Sequence, residues 1–280
     1  MWSSHVFPLL CLVVACLCLK YEAKEAKLVG TYVQSENSEY VYQLPPNLNA
    51  PSGVLFLAHG CSHASTDWWP QSPECNKCIG LPIERSIVME GLRRNLLVVA
   101  VSASNSENTC WSASDDKPVT EIINHIYKQY LGSNQSIPLY LLGASSGGTF
   151  VGRLPHSSYP LLPTIRATCM QISNFRNHSS VPVLFNLMAK DRHTLEAVKK
   201  HHPRSKLFVS PAQPIIPTYF ADHGAVKSAA DSEIIQKALI GAGLLSHKLY
   251  LLGDPRHSEW RKVTQPYLSS LSPRLFKRFQ

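Results

Sequence analysis

The chain has 280 residues, 44% of them hydrophobic and only 16% charged, and its 27 Lys and Arg outnumber 19 Asp and Glu to leave a net charge of +8. That length and apolar content suit a large packed core and exclude a disordered or fibrous chain. The sequence carries no internal repeat, no zinc-type Cys/His spacing and no Gly-rich phosphate loop, so no nucleic acid, metal or organic cofactor is expected, while the basic surplus favours anionic partners.

The first element is an apolar run over residues 6–19, VFPLLCLVVACLCL, closed by Lys20. It is shorter than the roughly 20 residues that span a bilayer. It reads as the core of a secretory signal over residues 1–23, which leaves residues 27–280 as one folded domain, secreted and without a stable membrane span. Cys11, Cys16 and Cys18 depart with the signal, and Cys61, Cys75, Cys78, Cys110 and Cys169 remain. An oxidising compartment then predicts two disulfides and one buried thiol, in a pairing that the sequence does not fix. Cys75-Asn-Lys-Cys78 has redox-motif spacing, yet it sits in a polar, Pro-bearing loop and reads as structural. Asn134-Gln-Ser136 and Asn177-His-Ser179 are glycosylation acceptors.

Beyond the leader, short β-rich runs alternate with helical periodicity, the pattern of an α/β fold with a mostly parallel sheet and helices on both faces. Strands are predicted at Glu39 to Leu44, Val54 to His59, Leu96 to Val101, Ile137 to Leu142, Ala167 to Ile172, Val183 to Met188 and Lys248 to Leu252. Helices are predicted at Pro82 to Asn95, from the Ser114-Asp115-Asp116 cap to Tyr130, and at about Ser232 to Leu239. Two long loops, Cys61 to Leu81 and Ser210 to Ala225, break the economy of short connections and are where a substrate pocket is expected.

Chemistry concentrates at Gly143-Ala144-Ser145-Ser146-Gly147, which follows an apolar strand and opens a helix. Glycines two residues to either side of Ser145 remove side chains that would clash in so tight a bend, so this is a nucleophile elbow. A serine hydroxyl needs a base to take its proton, and the base needs a carboxylate to fix its tautomer. In the chain order Ser, acid, His, Asp191 follows the strand ending at Met188, and His257 follows the last predicted strand. The lesser reading of Asp191 is a cap to a helix at Arg192 to Lys200, and Asp222 and Asp254 are weaker candidates for the acid. His223 and His247 compete with His257 as base. The Ser146 amide and the Cys61 amide, in the His59-Gly60-Cys61 turn, form the expected oxyanion hole, with His59 as a structural hydrogen-bonding residue. Trp68, Trp69 and Trp111 either line a substrate cleft or plug their loop against the core. The basic cluster at residues 199–206 and the tail at 274–278 suit solvated helix ends or an acidic polysaccharide surface.

Over about 220 residues this arrangement resembles the α/β-hydrolase superfamily. His59-Gly60-Cys61 and the lack of a large cap resemble the secreted esterases related to polyhydroxyalkanoate depolymerases and feruloyl esterases, and secreted α/β-hydrolase-like proteins of plants. The resemblance implies a Ser145, Asp191, His257 triad acting on a small-molecule or polymer-linked ester. The Asp254-Pro255-Arg256-His257 turn departs from the Gly-rich histidine turn of those esterases. That departure keeps two further readings open: a weakly active or inactive hydrolase fold that binds a ligand or acidic polymer, and a serine peptidase or thioesterase.

Overall fold

The computed structural model describes residues 27–35, 38–104, 107–132, 134, 136–171, 181–202, 205–253 and 259–271. The predicted signal, the Asn177 acceptor, the basic tail at 274–278 and the turn carrying Asp254 and His257 lie outside the described residues.

Eight strands form one sheet: β1 (Thr31–Gln34), β2 (Glu39–Gln43), β3 (Gly53–Ala58), β4 (Leu96–Val101), β5 (Leu139–Ala144), β6 (Ile165–Gln171), β7 (Val183–Met188) and β8 (Lys206–Ser210), in the order β1-β2-β4-β3-β5-β6-β7-β8. β1, β2 and β4 pair antiparallel, whereas β4, β3, β5, β6 and β7 run parallel. The central strands β3 (GVLFLA) and β4 (LLVVAV) are buried at every position. A strand buried on both faces cannot alternate apolar with polar, which is why these segments read as unbroken apolar runs. Each fully buried side chain of this kind stabilises by roughly 1.5–3 kcal/mol.

Three helices fill the connections before β6. α1 (Pro82–Arg93) starts with proline, whose missing N–H costs nothing in a first turn, and it buries Val88, Gly91 and Leu92. At Gly91 a Cβ would stand 2.9 Å from Val98 and 3.2 Å from Leu55, so the glycine sets how closely α1 approaches the sheet. α2 (Asp116–Tyr130) follows a single 3₁₀ turn at Ala113–Asp115, where Asp115 accepts the Ser112 backbone N–H at 2.7 Å. Its stripe of Val119, Ile122, Ile123, Ile126 and Tyr127 is buried, as the helical period predicts. α3 (Ser146–Arg153) leaves the elbow directly. Arg153 ties its end to α2, donating to Asp116 at 2.8 Å and to the Ser112 carbonyl at 2.7 Å.

The chain divides into two compact units. The first holds the residues up to Leu187 together with Glu196–Phe208. Its core joins Leu55, Leu57, Trp69, Val98, Leu142 and Leu184 among others. The second holds Met188–Leu195 and the chain from Val209 onward. There α5 (Tyr219–Asp222), α6 (Ala229–Gly241) and α7 (Trp260–Leu271) enclose Ile215, Phe220, Val226, Ile235 and Leu239. Ser228 caps α6 by accepting the Asp231 N–H at 3.1 Å. α4 (Arg192–His201) follows Asp191.

One predicted strand is absent. Lys248 to Leu252 makes a single bridge, Leu245 to Leu251, and Leu249 takes a φ of 63°, a left-handed conformation that no strand continues through. The last strand of the sheet is instead β8, which like β1 went unpredicted because neither is fully buried on a face.

Among the described residues the cysteines form two disulfides, Cys61–Cys110 and Cys75–Cys78, and Cys169 is a buried thiol on β6. No helix among the described residues is long and apolar enough to cross a membrane.

Candidate active site

β5 runs into the bend and α3 runs out of it, with Ser145 at the apex at φ 53°, ψ −121°. L-residues seldom adopt that region, and holding one there costs about 1–3 kcal/mol. Three features hold it. The Ser145 N–H donates to the Gln171 carbonyl of β6 at 2.6 Å, and its own carbonyl accepts from Thr149 at 3.2 Å. A Cβ on Gly143 would lie 2.2 Å from the Gly147 carbonyl oxygen, and one on Gly147 would lie 2.4 Å from those of Ala58 and His59. Both glycines are therefore required by close backbone approach. The result is an exposed serine at the carboxyl end of a buried strand.

Two backbone amides, of Ser146 and Cys61, are the candidate donors for an oxyanion. Ser146 opens α3, so its amide has no acceptor within the helix and carries the positive end of the helix dipole. Gly60 faces the elbow, where a Cβ would stand in ordinary contact with the Ser145 Cβ at 3.5 Å. The next residue, Cys61, offers an amide with no backbone acceptor among the described residues. The Cys61–Cys110 bond and the Ser62 N–H donating to the Asn108 carbonyl at 2.8 Å fasten this turn.

His59 is buried, and its tautomer follows from its partners. Nε2 accepts the Ala103 N–H at 3.0 Å, so Nδ1 carries the proton and donates to the Gly60 carbonyl at 2.6 Å. With both nitrogens used, it holds the turn in shape.

Asp191 is 6% exposed, directly after β7 in the second unit. One carboxylate oxygen accepts the Thr194 N–H at 3.1 Å, the cap to α4 that its position allows. That bond uses Oδ1. The expected base, His257, is outside the described residues. Of its competitors, His223 donates Nδ1–H to the Tyr219 carbonyl at 2.7 Å and lies against the Tyr219 ring at 4.2 Å between centroids.

The three tryptophans are core residues. Trp69 is fully enclosed and donates to Gln43 at 2.9 Å, Trp68 is buried beside it, and Trp111 stacks on Phe150 at 4.3 Å while donating to the His59 carbonyl at 2.8 Å. Of the two readings their sequence allowed, this burial accords with packing and not with lining an open cleft. The second long loop behaves as expected of a pocket builder. In the second unit a cavity of about 340 Å³ is lined by Pro211, Ile215, Tyr219, Phe220, His223 and Trp260 among other residues. Burial pushes the Tyr219 hydroxyl pKa up, so it stays protonated there. Asn134 is exposed in a turn, where its side chain accepts from Ser136.

One pair was missed. His63 donates Nδ1–H to Asp67 at 2.7 Å, in the loop that follows the Cys61 turn. The signal was available as an imidazole and a carboxylate four residues apart, overshadowed by the neighbouring cysteines and tryptophans. Among the described residues no group of His, Cys, Asp and Glu side chains is arranged to hold a metal.

The sheet order, the helices on the parallel strands and the strained serine between β5 and α3 define an α/β-hydrolase fold. No family model matches the chain, and no curated protein matches it. Among solved structures it is similar to the Francisella virulence factor BioJ, with 10% identity over 71% of this chain and 78% of that one and a TM-score of 0.43. It is also similar to an acetyl xylan esterase from Aspergillus awamori, with 13% identity over 59% and 73% and a TM-score of 0.41. A third is an acylaminoacyl peptidase from Pyrococcus horikoshii, with 10% identity over 86% of this chain but only 44% of the peptidase and a TM-score of 0.44.

Proposed function

We propose that the chain is a secreted serine hydrolase that cleaves a carboxylic ester through an acyl-enzyme. The observation that carries this is Ser145, exposed and strained at the elbow between β5 and α3, with Gly60 of the neighbouring turn against it. Ser145 Oγ attacks the ester carbonyl as its proton passes to the imidazole of His257, which Asp191 orients. The carbonyl oxygen takes the negative charge opposite the Ser146 and Cys61 amides. Collapse breaks the bond to the alcohol, which leaves with the imidazole proton. Water then repeats the sequence on the acyl-enzyme and restores Ser145. The +8 charge supports action on esters displayed on an acidic polymer, and the two disulfides support an oxidising compartment.

A fluorophosphonate probe tests this without knowledge of the substrate, because it reports an activated serine. Labelling of the wild type that disappears in Ser145→Ala and in His257→Ala is expected. A folded wild type that takes no label would refute the hydrolase reading.

A further inference from the structure

The pair His63 and Asp67 stands beside the elbow, and nothing in the proposed mechanism uses it. Both the Ser145 Cβ and the His63 Cδ2 face the bare side of Gly60: a Cβ built on that glycine would lie 3.5 Å from the first and 3.9 Å from the second. Their separation cannot exceed those two distances laid end to end. Cδ2 is the ring carbon bonded to Nε2, so the edge of His63 that carries its free nitrogen borders the space over Gly60 which the serine also enters.

The imidazole is held for that orientation. The Asp67 side chain is 1% exposed, and its Oδ2 accepts the His63 Nδ1–H at 2.7 Å and the Ala64 N–H at 3.3 Å. Asp67 sits in a 3₁₀ turn whose Ser65 N–H donates to Ser102 at 2.9 Å, and its carbonyl accepts the Leu81 N–H at 2.7 Å. The His63 side chain is 25% exposed, and Nε2 has no hydrogen-bond partner among the described residues. In its neutral form the ring keeps its proton on Nδ1, against the carboxylate, and presents a lone pair at Nε2. A buried carboxylate that sets the tautomer of a half-open imidazole does more than packing needs.

We propose that His63, positioned by Asp67, is a specificity-determining residue whose Nε2 accepts a hydrogen bond from a hydroxyl on the carbon next to the scissile carbonyl. This rests on Ser145 as the nucleophile and deepens that reading by naming a substrate class, the 2-hydroxyacyl esters. The geometry suits it: from Ser145 Oγ, a bond to the carbonyl carbon, a bond to the next carbon, a bond to its hydroxyl oxygen and one hydrogen bond bridge the gap over Gly60. Glycine at position 60 leaves that space open, since a Cβ there would already sit in contact with Ser145, Ala144 and His63.

The test uses the full secreted chain and two esters of equal bulk, ethyl lactate and ethyl isobutyrate, which differ by a hydroxyl in place of a methyl. Each is measured by how well it protects Ser145 from fluorophosphonate labelling. Ethyl lactate is expected to protect at about fivefold lower concentration, the effect of one neutral hydrogen bond. His63→Phe should bring the two esters level, and His63→Gln, which keeps an acceptor oxygen, should restore part of the preference. Equal protection of the wild type by both esters, protection by neither, or a preference that survives His63→Phe overturns the assignment. Absence of labelling in the wild type overturns the serine hydrolase reading beneath it, so the two failures are told apart.

Discussion

Replacing Gly147 by alanine forces a decision at the elbow. The new Cβ would lie 2.4 Å from the carbonyl oxygens of both Ala58 and His59, inside the 3.0 Å that real Cβ atoms keep. Both obstacles are backbone, at the end of a fully buried central strand, so neither can swing aside as a side chain would. Relief requires α3 to move away from β3, which takes the Ser146 amide away from Gly60 and Cys61. Overpacking of a well-filled core costs typically 1–3 kcal/mol, and a clash with two backbone oxygens belongs at the upper end, about 3 kcal/mol. Gly241→Ala is the control, because nothing stands within 4 Å of a Cβ at that position in α6. It should leave stability unchanged or raise it by up to about 1 kcal/mol through helix propensity. Urea unfolding should show a midpoint lowered by about 1 M for Gly147→Ala, and the fluorophosphonate labelling rate should fall at least tenfold. A Gly147→Ala chain with the wild-type midpoint and labelling rate would refute the claim that backbone contact fixes the elbow.

Ser145→Gly should abolish labelling while raising stability by about 1 kcal/mol, since glycine removes the strain stored at φ 53°; an unchanged urea midpoint would mean the strain is not there. Replacing both members of Cys61–Cys110 by serine should cost about 4 kcal/mol and the same change at Cys75–Cys78 about 2 kcal/mol, from loops closed over 49 and 3 residues; equal losses in paired denaturation curves would contradict the loop-length argument. Burial, as the largest cause, holds the Glu84 carboxyl above its ordinary pKa, with the Asp67 charge adding to the rise. A raised folded pKa means the folded state holds the proton more tightly, so stability is lost as pH rises from the unfolded carboxyl value through the folded one. Glu84→Gln should therefore stabilise the protein near neutral pH and lose that advantage below about pH 4. Urea midpoints at pH 4 and pH 7 that differ equally in the variant and the wild type would refute this.

The parts of this fold legible from sequence are those where one physical demand acts alone. Central strands buried on both faces show as unbroken apolar runs, so β3 and β4 lie where expected. The elbow is legible because backbone approach demands glycine at Gly143 and Gly147 and nothing else fits. Edge elements are harder. β1 and β8 are short and half exposed, so neither shows as an apolar run along the chain. Lys248 to Leu252 looked like a strand, yet Leu251 packs against the core of the second unit while Leu252 is exposed, and Leu249 breaks the extended backbone. Tryptophans are ambiguous by nature, since the same ring lines a cleft or fills a core, and only burial separates the two. The spacing of His63 and Asp67 is readable, but their meaning comes from Gly60, which brings the loop near the serine, and no spacing along the chain announces that proximity.

The Cys61–Cys110 bond ties two segments far apart in the chain. It joins the turn after β3 to the segment leading into α2, 49 residues on, and the Ser62 N–H bond to the Asn108 carbonyl spans the same junction. Reduction would cut one of these two links and leave the other, so the turn against Gly60 would keep a hydrogen-bonded hinge where it had a covalent one.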